Sequence, residues 1–159
     1  MQFEIKVKKP FSFEAALKSH GWFQLPPFYW DEDSKVLTWA ADVKEGGTLV
    51  RLQHSRDTAQ FSFVLCTIDD EAARSEVEEK FRYIMNLQLD LSEYYDLCRQ
   101  DALMSNVPER GLGRLMRAES IYEDVFKSIC GTNIQWRQAV KIVRKIAELG
   151  DFIDGTDFR

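Results

Sequence analysis

Residues 3–8, FEIKVK, set apolar Phe3, Ile5 and Val7 against charged Glu4, Lys6 and Lys8, the alternation of a strand with one wet face. Ser12 is placed to cap a short helix reaching about Ser19, and Gly21 to end it in the left-handed conformation that glycine tolerates best. Three β-like runs follow, VLTWAADV at 36–43, TLVRLQ at 48–53 and AQFSFVLCTI at 59–68, separated by EGG and SRDT at hairpin length. They predict an antiparallel meander. Beyond Asp69 the period lengthens: Ala73, Val77, Phe81 and Ile84 form a stripe, with Glu76, Glu79, Lys80 and Arg82 off it, so an amphipathic helix is laid on the sheet.

A second helix is expected after Ser92 in LSEYYDLCRQ, and MSNVPERGLGR reads as a loop because of Pro108, Gly111 and Gly113. Ser120 and Glu123 have capping-box spacing and open the helix SIYEDVFKSIC. After GTN, the positions Trp136, Ala139, Val140, Val143 and Ile146 define another amphipathic helix ending at Gly150. The pattern predicts an α+β chain: a sheet-and-helix domain over 1–105, then the first helices of an all-α domain over 106–159. One stretch fits no period. HGWFQLPPFYW, residues 20–30, carries five aromatics and two prolines that match neither a helical stripe nor strict alternation, and is read as a connection.

Composition adds limits. The chain has 159 residues, 45% hydrophobic and 30% charged, enough for one substantial core or two small ones. No run of about 18 apolar residues exists to span a bilayer, and MQFEIKVKK lacks the charged-then-apolar form of an export leader, so a cytoplasmic protein without membrane contact is expected. Cys66, Cys98 and Cys130 are odd in number and form no CxxC pair, which predicts buried thiols rather than a disulfide framework or a metal site. The net charge of −5 argues against nucleic acid until it is resolved along the chain. Residues 106–145 hold eight basic and four acidic side chains, a local +4 that leaves −9 elsewhere. An anionic partner is therefore admissible on the C-terminal part only, although solvated basic helix faces would give the same count.

No catalytic constellation stands out. The paired carboxylates Asp31 with Asp33 and Asp69 with Asp70 fall at turns, where local capping accounts for them, and neither His20 nor His54 has a recognisable nucleophile or orienting group. No catalytic residue, cofactor or metal is predicted.

The blocks FSFEAALKSHGWFQLPPFYWD, LDLSEYYDLC and GRLMRAESIYEDVFKSICGTNIQWRQAVKIV, in that order, resemble the N-terminal half of helix-hairpin-helix DNA glycosylases. That superfamily contains 3-methyladenine DNA glycosylase II and 8-oxoguanine DNA glycosylase. The resemblance implies a twisted antiparallel sheet of the TATA-binding-protein type leading into a helical domain, and a complete protein that flips a damaged base out of duplex DNA and excises it. It implies that Trp22, Phe23, Phe28 and Trp30 fill the junction between sheet and helices, with Pro26 and Pro27 holding the crossing extended.

It also implies a site. In the 8-oxoguanine branch an Asn after Ile-Cys and two small residues fills the position vacated by the flipped base, and Ile129, Cys130, Gly131, Thr132 and Asn133 repeat that order. The role carries to Asn133, and more weakly a contact with the unpaired partner base carries to Gln138 with Arg137 beside it. From the residues alone, Asn133 or Thr132 would serve equally as the cap of the helix containing Trp136. The Gly that receives 8-oxoguanine in that branch is replaced by Leu25, so the resemblance does not carry that substrate across.

The superfamily's DNA-gripping hairpin and catalytic Asp find no counterpart. Gly111-Leu112-Gly113 imitates the hairpin but sits in the wrong block and is read as a loop. The expectation is an inactive fragment of a glycosylase, with Val140, Val143 and Ile146 poorly covered. The alternative is a non-catalytic module that uses the sheet to bind protein or nucleic acid.

Overall fold

The computed structural model describes residues 1–44, 46–150 and 153. The strands are β1 (Gln2–Lys8), β2 (Phe28–Asp31), β3 (Val36–Val43), β4 (Gly46–Asp57) and β5 (Phe61–Ile68). The helices are α1 (Phe13–Leu17), α2 (Arg74–Ile84), α3 (Ser92–Gln100), α4 (Ile121–Cys130) and α5 (Trp136–Ala147). The strands form one antiparallel sheet in the order β1-β5-β4-β3-β2. The first strand thus closes onto the last, with Ile5 opposite Val64.

Alternation decides which face of the sheet is dry. Phe3, Ile5 and Val7 of β1, Val64, Cys66 and Ile68 of β5, and Leu37 and Trp39 of β3 are buried together with Ala16 and Leu17 of α1 and Val77, Phe81 and Ile84 of α2. Phe13 links the two helices to the sheet edge, its ring 6.4 Å from Phe81 and 6.5 Å from Trp30. On the wet face, the Lys6 ammonium stands 3.7 Å from the Phe61 ring and the Arg56 guanidinium 3.8 Å from that of Phe63.

Four expectations need correction. First, 20–30 is not wholly a connection, because Phe28–Asp31 is an edge strand, with Phe28 opposite Trp39 and Asp31 opposite Val36. Four residues are too few to show a period, and an edge strand needs only one neighbour. Second, Gly21 does not end α1 in a left-handed conformation; α1 ends at Leu17, and Gly21 begins a 3-10 turn, Gly21–Gln24, without a positive φ. Third, the junction aromatics are unequal: Phe28 is buried, Trp22, Phe23 and Trp30 are half-buried, and Tyr29 is exposed. Fourth, Val143 is buried and Val140 half-buried, because α5 packs against α4; of the three, Ile146 alone is exposed, at 39%.

The stretch between α3 and α4 is tied to the sheet side of the molecule. Met116 is in the core; its amide donates to Ser19 Oγ at 3.0 Å and its carbonyl accepts from His20 Nε2 at 2.7 Å. With Nε2 donating, His20 Nδ1 is free to accept from the Trp22 amide at 3.3 Å, which makes the imidazole a structural bridge. Gly111, at φ +63°, lies so close to the Phe11–Ser12 backbone that a Cβ would meet Phe11 C at 2.6 Å. The GLG sequence is a packing contact with its own chain, in agreement with the loop reading.

Candidate nucleic-acid interface

The α4–turn–α5 unit is built from its caps. Ser120 Oγ accepts from the Glu123 amide at 3.2 Å, while Glu123 Oε2 reaches back to the Glu119 amide at 3.0 Å, one residue earlier than a reciprocal capping box would. Asp124 Oδ1 accepts from the Ala118 amide at 3.1 Å, and both carboxylates favour the positive end of the helix.

α4 is inverted relative to an ordinary surface helix. Its buried side chain is Lys127, while Ile121, Tyr122, Val125 and Ile129 face outward. The Lys127 ammonium pairs with Glu123 and lies 5.1 Å from the Phe28 ring and 5.5 Å from that of Trp22. Burial pushes the ammonium pKa below its ordinary value against the opposing pull of Glu123. This contact is part of what the aromatic crossing does: two of its rings receive the one cation that α4 turns inward.

At the end of α4, Thr132 Oγ1 donates to the Ser128 carbonyl at 3.0 Å. Asn133 then takes φ +57°, a left-handed turn that Asn tolerates better than most residues. Gln135, not Asn133 or Thr132, is the residue before α5, and its amide donates to Gln138 Oε1 at 3.3 Å. The capping reading of Thr132 and Asn133 is thereby overturned, and Asn133 is exposed at the joint. Gln138 is exposed but engaged with its own helix end, and Arg137 beside it is exposed. Trp136 anchors the unit, its indole donating to Gln24 Oε1 at 3.0 Å and lying against Gly21.

The structure therefore places Asn133, Arg137 and Gln138 together at one turn and the adjoining end of α5. Lys141, Arg144 and Lys145, which enter the sequence pattern only as charge, continue from Arg137 along one exposed side of α5. Their spacing of i, i+4, i+7 and i+8 was the available signal. One member of each carboxylate pair caps a turn: Asp31 Oδ1 accepts from the amides of Ser34 and Asp33, which hold its pKa low, and Asp70 Oδ1 accepts from the Ala72 amide. Glu119 is a half-buried carboxylate, its pKa pushed up by burial against the pull of Lys80 and Trp39 Nε1, and these partners tie it to α2 and the sheet. All three cysteines are free, with Cys130 half-buried rather than buried. Among the described residues, no helix is long and apolar enough to cross a membrane.

No protein-family model matches the sequence, and no curated protein matches it. The fold is similar to that of a solved structure, 3-methyladenine DNA-glycosylase from Archaeoglobus fulgidus, with a TM-score of 0.72 and 21% sequence identity. The alignment covers 98% of this chain and 54% of that one, so this chain spans about half the length of its structural neighbour. The architecture is an α+β, DNA-glycosylase-like fold.

Proposed function

We propose that the chain forms the sheet and opening helices of a DNA N-glycosylase of base-excision repair, which flips and excises a damaged base from duplex DNA. The observation that carries the reading is the exposed Asn133 turn, held by capped helices on both sides within a fold like that of a DNA glycosylase. An Asn side chain has donor and acceptor groups, so it suits the hole left by a flipped base. Arg137 and Gln138 stand close enough in sequence to face the unpaired partner base.

The chain by itself is expected to be inactive in excision, and its DNA binding is expected at the non-specific level, weaker than about 1 μM at physiological salt. The test is anisotropy of the purified chain on duplexes with and without an abasic site. A preference for the abasic duplex that Asn133→Ala removes supports the reading. Equal binding of both duplexes by the unsubstituted chain counts against it, and enzyme-dependent release of an alkylated or oxidised base would overturn the assignment as an inactive part.

A further inference from the structure

The local excess of positive charge between 106 and 145 is divided by the fold into engaged and unengaged groups. Arg114 donates to the carbonyls of Asn86 and Leu89, Arg117 lies 5.2 Å from the Tyr83 ring, and Lys127 is buried with Glu123. Arg110 stands apart, in the groove beside Pro108 and Gly111. The remaining four, Arg137, Lys141, Arg144 and Lys145, are all on α5, all exposed, and make no ion pair among the described residues. Helical geometry puts them on one ridge, opposite the buried Ala139 and Val143. No acidic residue occurs within α5, the nearest on its own line being Glu148 at the C-cap.

A chain with a net charge of −5 thus carries a cationic ridge that makes no ion pair among the described residues, and that ridge begins at the turn bearing Asn133. We propose that Lys141, Arg144 and Lys145 extend the interface as a phosphate-contacting ridge that sets duplex affinity without reading sequence or lesion. This rests on the DNA-binding reading above. From Arg137 to Lys145 the ridge runs about 12 Å at the helical rise. That length of duplex axis carries roughly three to four phosphates of one strand. A membrane surface is the less suitable partner, because the centre of the apolar side of α5, Ala139 and Val143, is buried, which leaves only the edges at Ile142 and Ile146 exposed beside the ridge.

The experiment is a salt titration of duplex binding by the full chain, comparing the unsubstituted protein with Lys141→Ala/Arg144→Ala/Lys145→Ala and with the charge-retaining Lys141→Arg/Lys145→Arg. The slope of log affinity against log salt should fall by about 2 to 3 in the triple variant, since each phosphate contact contributes about 0.9. Affinity at low salt should drop at least tenfold, and the arginine variant should keep both. The preference for an abasic duplex should persist in the triple variant, because Asn133 is untouched. An unchanged slope, or no duplex binding by the unsubstituted chain at low salt, overturns the inference. So does binding to vesicles of phosphatidylserine and phosphatidylcholine that the triple substitution removes while duplex binding stays intact. If abasic preference is missing but the slope still falls, the base-reading assignment fails and the ridge stands; the reverse pattern removes the ridge alone.

Discussion

Gly21 and Trp136 touch through a missing side chain: a Cβ on Gly21 would lie 2.3 Å from Trp136 Cζ2 and 2.6 Å from its Cε2. The residues are far apart in sequence, one in the 3-10 turn after α1 and the other at the start of α5. This contact and the 3.0 Å bond from Trp136 to Gln24 fasten the candidate interface to the sheet side of the molecule.

Gly21→Ala should therefore displace the indole and cost about 1–3 kcal/mol, the scale of overpacking. Denaturant midpoints measure the cost, and a red shift in tryptophan emission should accompany it. In a Trp136→Ala background the same substitution should cost almost nothing, because coupling energies arise between residues in contact. A full-sized cost in that background would show that Gly21 is needed for its backbone rather than for the indole.

Periodicity marks β3 residue for residue and the buried stripe of α2, whereas of the α5 stripe only Ala139 and Val143 are buried and both its ends, Trp136 and Ile146, are exposed. The miss at β2 is one of length, four residues being too few to show a period, but at Gly21 the deciding partner is remote in sequence. Gly21 looks like a helix stop until Trp136 is beside it. Lys127 of α4 likewise lies inward against the rings of Trp22 and Phe28, a contact that no local pattern announces. The candidate site divides the same way, since Asn133 and Arg137 are singled out only by a resemblance along the local sequence, whereas the lack of ion pairs at Lys141, Arg144 and Lys145 among the described residues depends on which other cations find partners.

Lys127 gives the fold a pH dependence of definite sign. Burial lowers its pKa in the folded protein, so between that value and the ordinary lysine value of 10.5 the unfolded chain binds a proton that the folded chain does not. Stability contributed by this site must rise with pH through that window, and below it the cost of holding a buried charge is fully present. Lys127→Met should flatten this rise in urea titrations at alkaline pH relative to the unsubstituted protein. Lys127→Ala, which also opens a cavity and strands Glu123, should cost about 3–5 kcal/mol near neutrality. A pH dependence identical in Lys127→Met and the parent would place the effect elsewhere.

Cys66 offers a probe of global opening. It lies in β5 between sheet and helices, and burial pushes its thiol pKa up to about 12. The thiolate is the reactive form, so alkylation at pH 8 should be negligible in the folded state and should follow the unfolding transition. In a Cys98→Ser/Cys130→Ser background, the rate of Cys66 labelling should rise with urea in parallel with the loss of circular dichroism. Rapid labelling in the absence of denaturant would mean that β5 opens locally.

The tryptophans should rank by burial rather than by their clustering in the sequence. Trp39 on β3 is 1% exposed, packs 6.1 Å from Phe28, and donates Nε1 to Glu119 at 3.2 Å. Its truncation removes a large ring from the centre and deprives the half-buried Glu119 carboxylate of a partner, so Trp39→Ala should cost at least about 3–5 kcal/mol. Trp22 and Trp30 are half-buried, and each retains a polar or cationic neighbour: Lys127 lies over Trp22 and Lys18 over Trp30. Their replacement by Ala should cost roughly 1–3 kcal/mol, within the ordinary range for single substitutions. Trp22→Ala should additionally alter the alkaline pH dependence assigned to Lys127, because the ring forms part of the wall that excludes water from the ammonium, whereas Trp30→Ala should leave it unchanged. Equilibrium unfolding of the three variants at neutral and alkaline pH separates these outcomes. A Trp22→Ala variant as costly as Trp39→Ala would show that the crossing, rather than the sheet centre, holds the two halves of the chain together.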